Sequence, residues 1–320
     1  MFKIEKPVIF VGPLKKQCEQ FVSQKKALGC KYLTETYIMT VFDKFSMETS
    51  SPENVLTKEH AVEFAAKKPD ESYKSFSNRA CLIRQFGMFM VQMGYEAYVL
   101  PSFKVVKSSF VPHIFSDEEL KLIFSRLSTF KPCSNFKLRH KIYPVLFRML
   151  YGCGFRINEA LHLKVSDVNL KDGIVTVRDA KWDTERLVPM SESLTKTCKT
   201  YFNEVHLTGN YTYFFPADDG GFISRSAILY NFKKVLKDCD IPYTARVHDF
   251  RHTFAVHTLN RWAREGSDIY VLLPILSKYM GHATISGTEN YLRLTAEIYP
   301  DIVKSFEEHF SGVIPEVQMV

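Results

Sequence analysis

The sequence predicts a two-part, mainly α-helical chain with a small antiparallel β-sheet in its second part (α+β). Three observations predict it. Apolar residues recur at helical spacing through most of the 320 residues, two short β-branched runs stand alone between long helical stretches, and one proline-containing basic segment interrupts the pattern near residue 111. The length suits roughly two domains at ~150 residues each. With 46% hydrophobic and 24% charged residues, the composition is that of a globular protein, which excludes disordered and fibrous classes.

From about Pro13 to Tyr98 the pattern is helical. In RACLIRQFGMFMVQMGYEAYVL, Leu82, Phe86, Met90 and Met93 fall on one stripe, and the pattern stops at Gly94. Lys67, Lys68, Lys74, Arg79 and Arg84 lie at or just before this helix and suit a solvated face or phosphate contacts equally. The segment YVLPSFKVVKSSFVPHIF, with Pro101 and Pro112, reads as an extended basic linker. A new helix begins after it: Ser116 and Glu119 form a capping-box pattern, and Phe115 and Leu120 are spaced as its hydrophobic staple. The domains are therefore expected at 1–111 and 112–320. Net charge is +7, and the surplus lies mostly in the first part, with 16 basic and 11 acidic residues against 26 and 24 in the second. That balance is compatible with a polyanionic partner without requiring one.

In the second part, IYPVLFRMLYGCGFRINEALHL reads as a buried helix, a glycine turn and another helix. GIVTVRD and ERLVPM read as two strands joined through AKWDT as a hairpin, and from about Ser191 the chain is largely helical. Seven scattered cysteines without a Cys-x-x-Cys pair read as reduced thiols of a cytoplasmic protein. The N-terminal MFKIEKPVIFVGPLKK is too short and too broken by proline for a signal peptide, and no stretch approaches the ~18–20 apolar residues of a membrane span, so no membrane partner is expected.

Two motifs mislead. Gly152-Cys153-Gly154 imitates a dinucleotide fingerprint, but Ile157 replaces the third glycine and no strand precedes it. His248-Asp249-Phe250-Arg251-His252 imitates a zinc-protease box, yet an arginine beside the second histidine opposes a divalent cation and aspartate is shorter than the required glutamate. No metal and no cofactor is expected. What remains is a set of polar residues in apolar sequence. Arg156, flanked by Phe155, Ile157, Ala160 and Leu161, needs an anionic partner, and Glu159 on the same helix face can orient it. Taken alone, the pair reads as an ion pair stitching two helices. Arg251 repeats the situation, His282 follows a glycine, and Tyr291 lies nine residues further on. A lone tyrosine among sixteen is more often half-buried core.

Read in order, GCGFRINEAL, AKWDTERLVP, HDFRHTFAVH and MGHATISGTENYL resemble the boxes of the tyrosine recombinase (phage integrase) family, across the whole second part. The first part is similar to the family's helical (SAM-like) core-binding domain in pattern alone. The resemblance implies that Arg156 and Arg251 clamp a scissile DNA phosphate, that Lys181 is the general acid and Tyr291 the nucleophile, and that His248 and His282 are the two active-site histidines. Glu159 takes a supporting role, and His252 and Thr253 a structural one. It further implies a 3′-phosphotyrosyl intermediate, Holliday-junction strand exchange without metal or ATP, double-stranded recombination sites as partner, and a tetramer on DNA in which TAEIYPDIVKSFEEHF, through Ile298, Ile302 and Phe306, docks on a neighbour. Accessory factors belong to the same picture. The 31 residues from Arg251 to His282 exceed the spacing of simple members and resemble recombinases of mobile elements. Competing readings are a type IB topoisomerase-like relaxase, an inactive DNA-binding or architectural protein, and the metallohydrolase implied by HDFRH.

Overall fold

The computed structural model describes residues 9–30, 32–102, 111–134, 136–179, 184–207, 209–282 and 284–298. The chain divides into two compact units, Met1–Phe110 and Val111–Val320. The first holds four helices, α1 (Lys15–Ala27), α2 (Leu33–Glu48), α3 (Lys58–Ala65) and α4 (Tyr73–Gln92). Phe21, Met39, Phe42, Ile83, Phe86 and Met90 form its dry centre, with Phe21 and Phe42 meeting Phe86 edge-on at 5.4 and 5.8 Å. The stripe expected on α4 is buried through Leu82, Phe86 and Met90, but Met93 is exposed, because the helix ends at Gln92 and Gly94 turns the chain with φ +81°. Two of the basic residues near α4 are internal ties. Arg79 is buried, donating from Nε to the Phe64 carbonyl (2.9 Å) and from Nη2 to Glu71 (2.8 Å), and Arg84 donates to the Leu100 carbonyl (2.7 Å). Lys67, Lys68 and Lys74 remain exposed.

The second unit opens with α5 (Asp117–Ser128). Its capping box is formed: Ser116 Oγ accepts from the Glu119 amide (3.2 Å), the Glu119 carboxylate accepts from the Ser116 amide (2.9 Å), and Phe115 and Leu120 are buried around it. Then follow α6 (Arg139–Gly152), α7 (Ile157–Leu161) and a three-stranded antiparallel sheet of β1 (Val168–Asn169), β2 (Ile174–Asp179) and β3 (Thr184–Pro189), in that order. The register pairs Val175 with Val188 and Val177 with Arg186. Helices α8 (Glu192–Val205), α9 (Arg225–Asp238), α10 (Asp249–Arg264), α11 (Ile269–Met280) and α12 (Ser286–Ile298) complete the described chain. The expected mainly α architecture with a small antiparallel sheet is the one observed.

Helix α10 is the hinge between two apolar cores. On one side Phe250 packs edge-on against Phe147 and tilted against Phe115 and Phe232, the ring centroids lying 4.7–5.5 Å away. On the other, Val256 and Leu259 pack with Leu273, Leu276 and Met280 of α11 and with Tyr291 and Leu294 of α12. The long Arg251–His282 segment is thus the rest of α10, a turn and α11. No described helix is long and apolar enough to cross a membrane.

Candidate active site

A helix end leaves its last carbonyls without intrahelical partners. At the C-terminus of α11 the chain closes in a Schellman turn, with the His282 amide donating to Ser277 O and the Gly281 amide to Lys278 O, both at 3.0 Å. Gly281 adopts φ +68°, and a Cβ there would stand 2.8 Å from Arg186 Nη1. Three consecutive carbonyls then accept from three different arginines. Tyr279 O takes Arg186 Nε (2.9 Å), Met280 O takes Arg251 Nη2 (2.5 Å), and Gly281 O takes Arg156 Nη2 (2.8 Å). The negative end of the helix dipole favours cations here, so one turn of backbone gathers side chains from β3, α10 and the start of α7.

Local sequence delivers each arginine. Gly154, at φ +60° and too close to the Phe254 ring (2.5 Å) to carry a Cβ, turns the chain after α6 and gives its carbonyl to Arg251 Nη1 at 2.6 Å. Arg156 follows in extended conformation as the cap of α7. Glu159, one turn on, accepts from the Arg156 amide (2.9 Å) and Nη1 (2.7 Å), as its spacing predicts. It also accepts both terminal nitrogens of Arg186 at 3.1 and 2.8 Å. Burial pushes the Glu159 carboxyl up, but hydrogen bonds and charge from Arg186, then Arg156, outweigh it and hold the group below the usual carboxylate range. Arg251, 1% exposed, has its guanidinium pushed down to about 10 by burial and then by the positive charge of Arg156, so it stays protonated at neutral pH.

Around this rack stand the histidines and the phenol. Tyr291 is buried on α12, close enough to Arg251 and Arg156 for their charge to act on its phenol. Its ring lies stacked on His282 at 6.0 Å and tilted against His252 at 5.5 Å, and His252 meets His248 edge-on at 4.8 Å. His282 Nδ1 is fixed by Thr288 Oγ1 at 2.7 Å. All three imidazoles are pushed down, first by loss of solvation and then by neighbouring positive charge: His282 to about 4 and His252 to about 3, with His248, which has an exposed edge, moving the same way. Burial raises the Tyr291 phenol, against the pull of Arg251 and Arg156. At neutral pH the cluster therefore holds three guanidiniums, one carboxylate, neutral histidines and a buried phenol.

Most residues that the sequence points to converge here: Arg156, Glu159, Arg251, His248, His282 and Tyr291. His252 joins them at the Tyr291 ring. Thr253 is structural: its hydroxyl accepts from the Phe115 amide (3.0 Å) and donates to Asp249 O (2.8 Å). Lys181 lies outside the described residues. Arg186 was missed; its signal was an arginine at an inward position of an alternating strand, in step with buried Val188. Among the described residues no three His, Cys, Asp or Glu side chains group to hold a metal ion. The HDFRH histidines sit beside Arg251 and Arg246, and Asp249 is paired with Arg246 at 2.9 Å. Fixed guanidiniums facing a phenol fit an anion with several oxygens, such as a phosphate.

The sequence pattern of the phage integrase family matches residues 114–297, more than half of the chain. The chain belongs to that family. Tyrosine recombinase XerA of Pyrococcus furiosus is 28% identical over 290 residues, covering 89% of this chain and 92% of that protein. Two solved structures share the fold of the phage integrase chain described here. One is the Tn1549 transposon integrase in complex with transposon right end DNA (TM-score 0.66, 18% identity, 92% of this chain and 99% of that one). The other is XerH site-specific recombinase bound to a palindromic difH substrate (TM-score 0.65, 16% identity, 91% and 84%).

Proposed function

We propose that this member of the phage integrase family is a site-specific DNA recombinase in which Tyr291 attacks a backbone phosphate. The observation that carries this reading is the buried Tyr291 phenol beside a fully buried Arg251, one of three arginines held on the end of α11. Attack forms a bond between the Tyr291 oxygen and phosphorus and breaks the bond to the 5′ oxygen, leaving a 3′-phosphotyrosyl link and a free 5′ hydroxyl. The bond energy is conserved, so a second strand can reverse the step without ATP. Negative charge grows on the nonbridging oxygens, where Arg156 and Arg251 offer fixed donors that need no reorganisation and take the place of a divalent metal.

A buried phenol needs a proton acceptor. His248 is the proposed one: it is neutral at pH 7, and its ring touches His252, which touches Tyr291. His282, anchored through Nδ1, is left with Nε2 to meet a phosphate oxygen. Lys181, beyond the described end of β2, is the proposed general acid for the departing 5′ oxygen. Residues 1–111 are the proposed core-binding domain, with exposed Lys67, Lys68 and Lys74 available to the duplex. The working form is a tetramer on two double-stranded sites, held in part by the segment after Ile298, and the errand is that of a mobile element or replicon resolution. The relatives support this: XerH binds a difH site and the Tn1549 integrase a transposon end.

The test is a covalent-trapping assay. Wild type and Tyr291→Phe are incubated in EDTA with a library of nicked suicide duplexes, and adducts are resolved on a denaturing gel. An adduct from the wild type alone is expected. An adduct from both, or one that requires divalent metal, contradicts the reading.

A further inference from the structure

The arginine that sequence reading missed has a geometry of its own. Arg186 reaches across from β3 and ends on two elements at once: Nε on the Tyr279 carbonyl of α11, and Nη1 and Nη2 on the two oxygens of Glu159 in α7. Its side chain and that of Glu159 are each 11% exposed, whereas Arg156 is 36% exposed. Arg156 therefore stands at the mouth of the site, and the other two form the wall behind it. Gly281 closes the same wall, because any Cβ there would strike the Arg186 guanidinium at 2.8–3.0 Å. Arg156 has two described anchors, Glu159 Oε1 and Gly281 O, and Arg186 touches the residue or the helix end that supplies each of them.

We propose that Arg186 is a positioning residue of the strand-cleavage reaction: it clamps Glu159 against the last turn of α11, and Glu159 in turn aims Arg156 at the phosphate. This rests on the recombinase reading above. Arg186 makes no contact with the reacting atoms in this scheme. Removing it leaves Arg156 as the one ion-pair partner of buried Glu159 among the described residues, with Arg251 acting on it through charge alone, so Arg156 is drawn inward and the carboxyl, held down less, rises under its own burial. Below the raised value Glu159 is protonated and its charged bond to Arg156 is lost. A sensitivity to acid appears that the wild type lacks.

The experiment measures single-turnover cleavage from about pH 5.5 to 8 on the DNA that the wild type traps, with melting curves for every variant. Arg186→Gln is expected to cleave roughly 10-fold to 100-fold more slowly at pH 8 with DNA binding intact, the size of loss that a misplaced positioning group produces, and to lose further rate as pH falls. Arg186→Lys keeps the positive charge and restores the flat pH profile with part of the rate. The double variant Glu159→Gln/Arg186→Gln removes the carboxyl, so its profile is flat while its rate stays low. It leaves no unpaired buried charge, so it and Arg186→Lys carry the test if Arg186→Gln does not fold. An Arg186→Gln that cleaves like the wild type, or variants whose rates fall only in step with their melting temperatures and with unchanged pH profiles, overturns the proposal while leaving the recombinase reading in place. A wild type that forms no adduct removes both.

Discussion

Changing Gly281 to alanine tests whether one helix end organises the site. The position has φ +68°, where an L-residue costs ~1–2 kcal/mol. The added Cβ would also lie 2.8 Å from Arg186 Nη1 and 3.0 Å from its Cζ. Arg186 is tied to Tyr279 O and to both oxygens of Glu159, so it yields only by giving up a bond, an overpacking cost of roughly 1–3 kcal/mol. The sum is about 2–5 kcal/mol. In a unit of this size each kcal/mol moves the midpoint by ~2–4 °C, so the melting temperature should fall by about 4–20 °C. The assay is calorimetry of Gly281→Ala in the wild-type background and in an Arg186→Gln background, where the shorter side chain removes the clash. The cost should shrink in the second background to about the backbone term alone. An unchanged melting temperature, or the same loss in both backgrounds, would refute the reasoning.

Other outcomes follow from the same geometry. Arg251→Lys cannot span Gly154 O and Met280 O, so at least one buried carbonyl loses its donor; a loss of about 1–3 kcal/mol in denaturant unfolding and abolished adduct formation are expected. Full activity in that variant would remove Arg251 from the mechanism. The histidines set a pH dependence of stability. Folding lowers their pKa, so between about 6.5 and the folded values of about 4 (His282) and about 3 (His252) the unfolded chain binds more protons than the folded one. Stability is therefore fully present above about pH 6.5 and declines as pH falls; melting temperatures that are flat from pH 7 to 5 would contradict this. DNA affinity should drop by roughly 10³ or more between 50 and 200 mM salt if about six or more phosphates are contacted, and a salt-insensitive affinity argues against a wrapped duplex.

Much of this was legible in the sequence because the signals were local. The Ser116–Glu119 capping box, the alternating runs of β2 and β3, and the i, i+3 spacing of Arg156 and Glu159 each depend on a few neighbouring residues, and each formed as its spacing dictates. Arg251 was legible as a charge inside an apolar stretch. What stayed hidden was long-range. Nothing near Arg186 in sequence shows that its partners are Glu159, 27 positions away, and Tyr279, 93 away. The role of Gly281 depends on three arginines gathered from three elements. Arg79, read as a possible phosphate contact, turned inward because Glu71 and the α3 carbonyls offered it partners that composition does not reveal. Met93 kept the helical spacing of its stripe but lay one residue past the end of the helix.

If Tyr291 is the nucleophile, its oxygen alone takes up the phosphate. The trapped adduct can be digested with nuclease and trypsin and the modified peptide fragmented in a mass spectrometer. Cleavage after Lys278 and Arg293 yields a peptide with two tyrosines, Tyr279 and Tyr291. Tyr279 already donates its hydroxyl to Pro189 O and stacks on Phe254. A 3′-nucleotide phosphate on Tyr291 alone is expected; a nucleotide on Tyr279, or on a peptide from elsewhere in the chain, would contradict Tyr291 as the nucleophile.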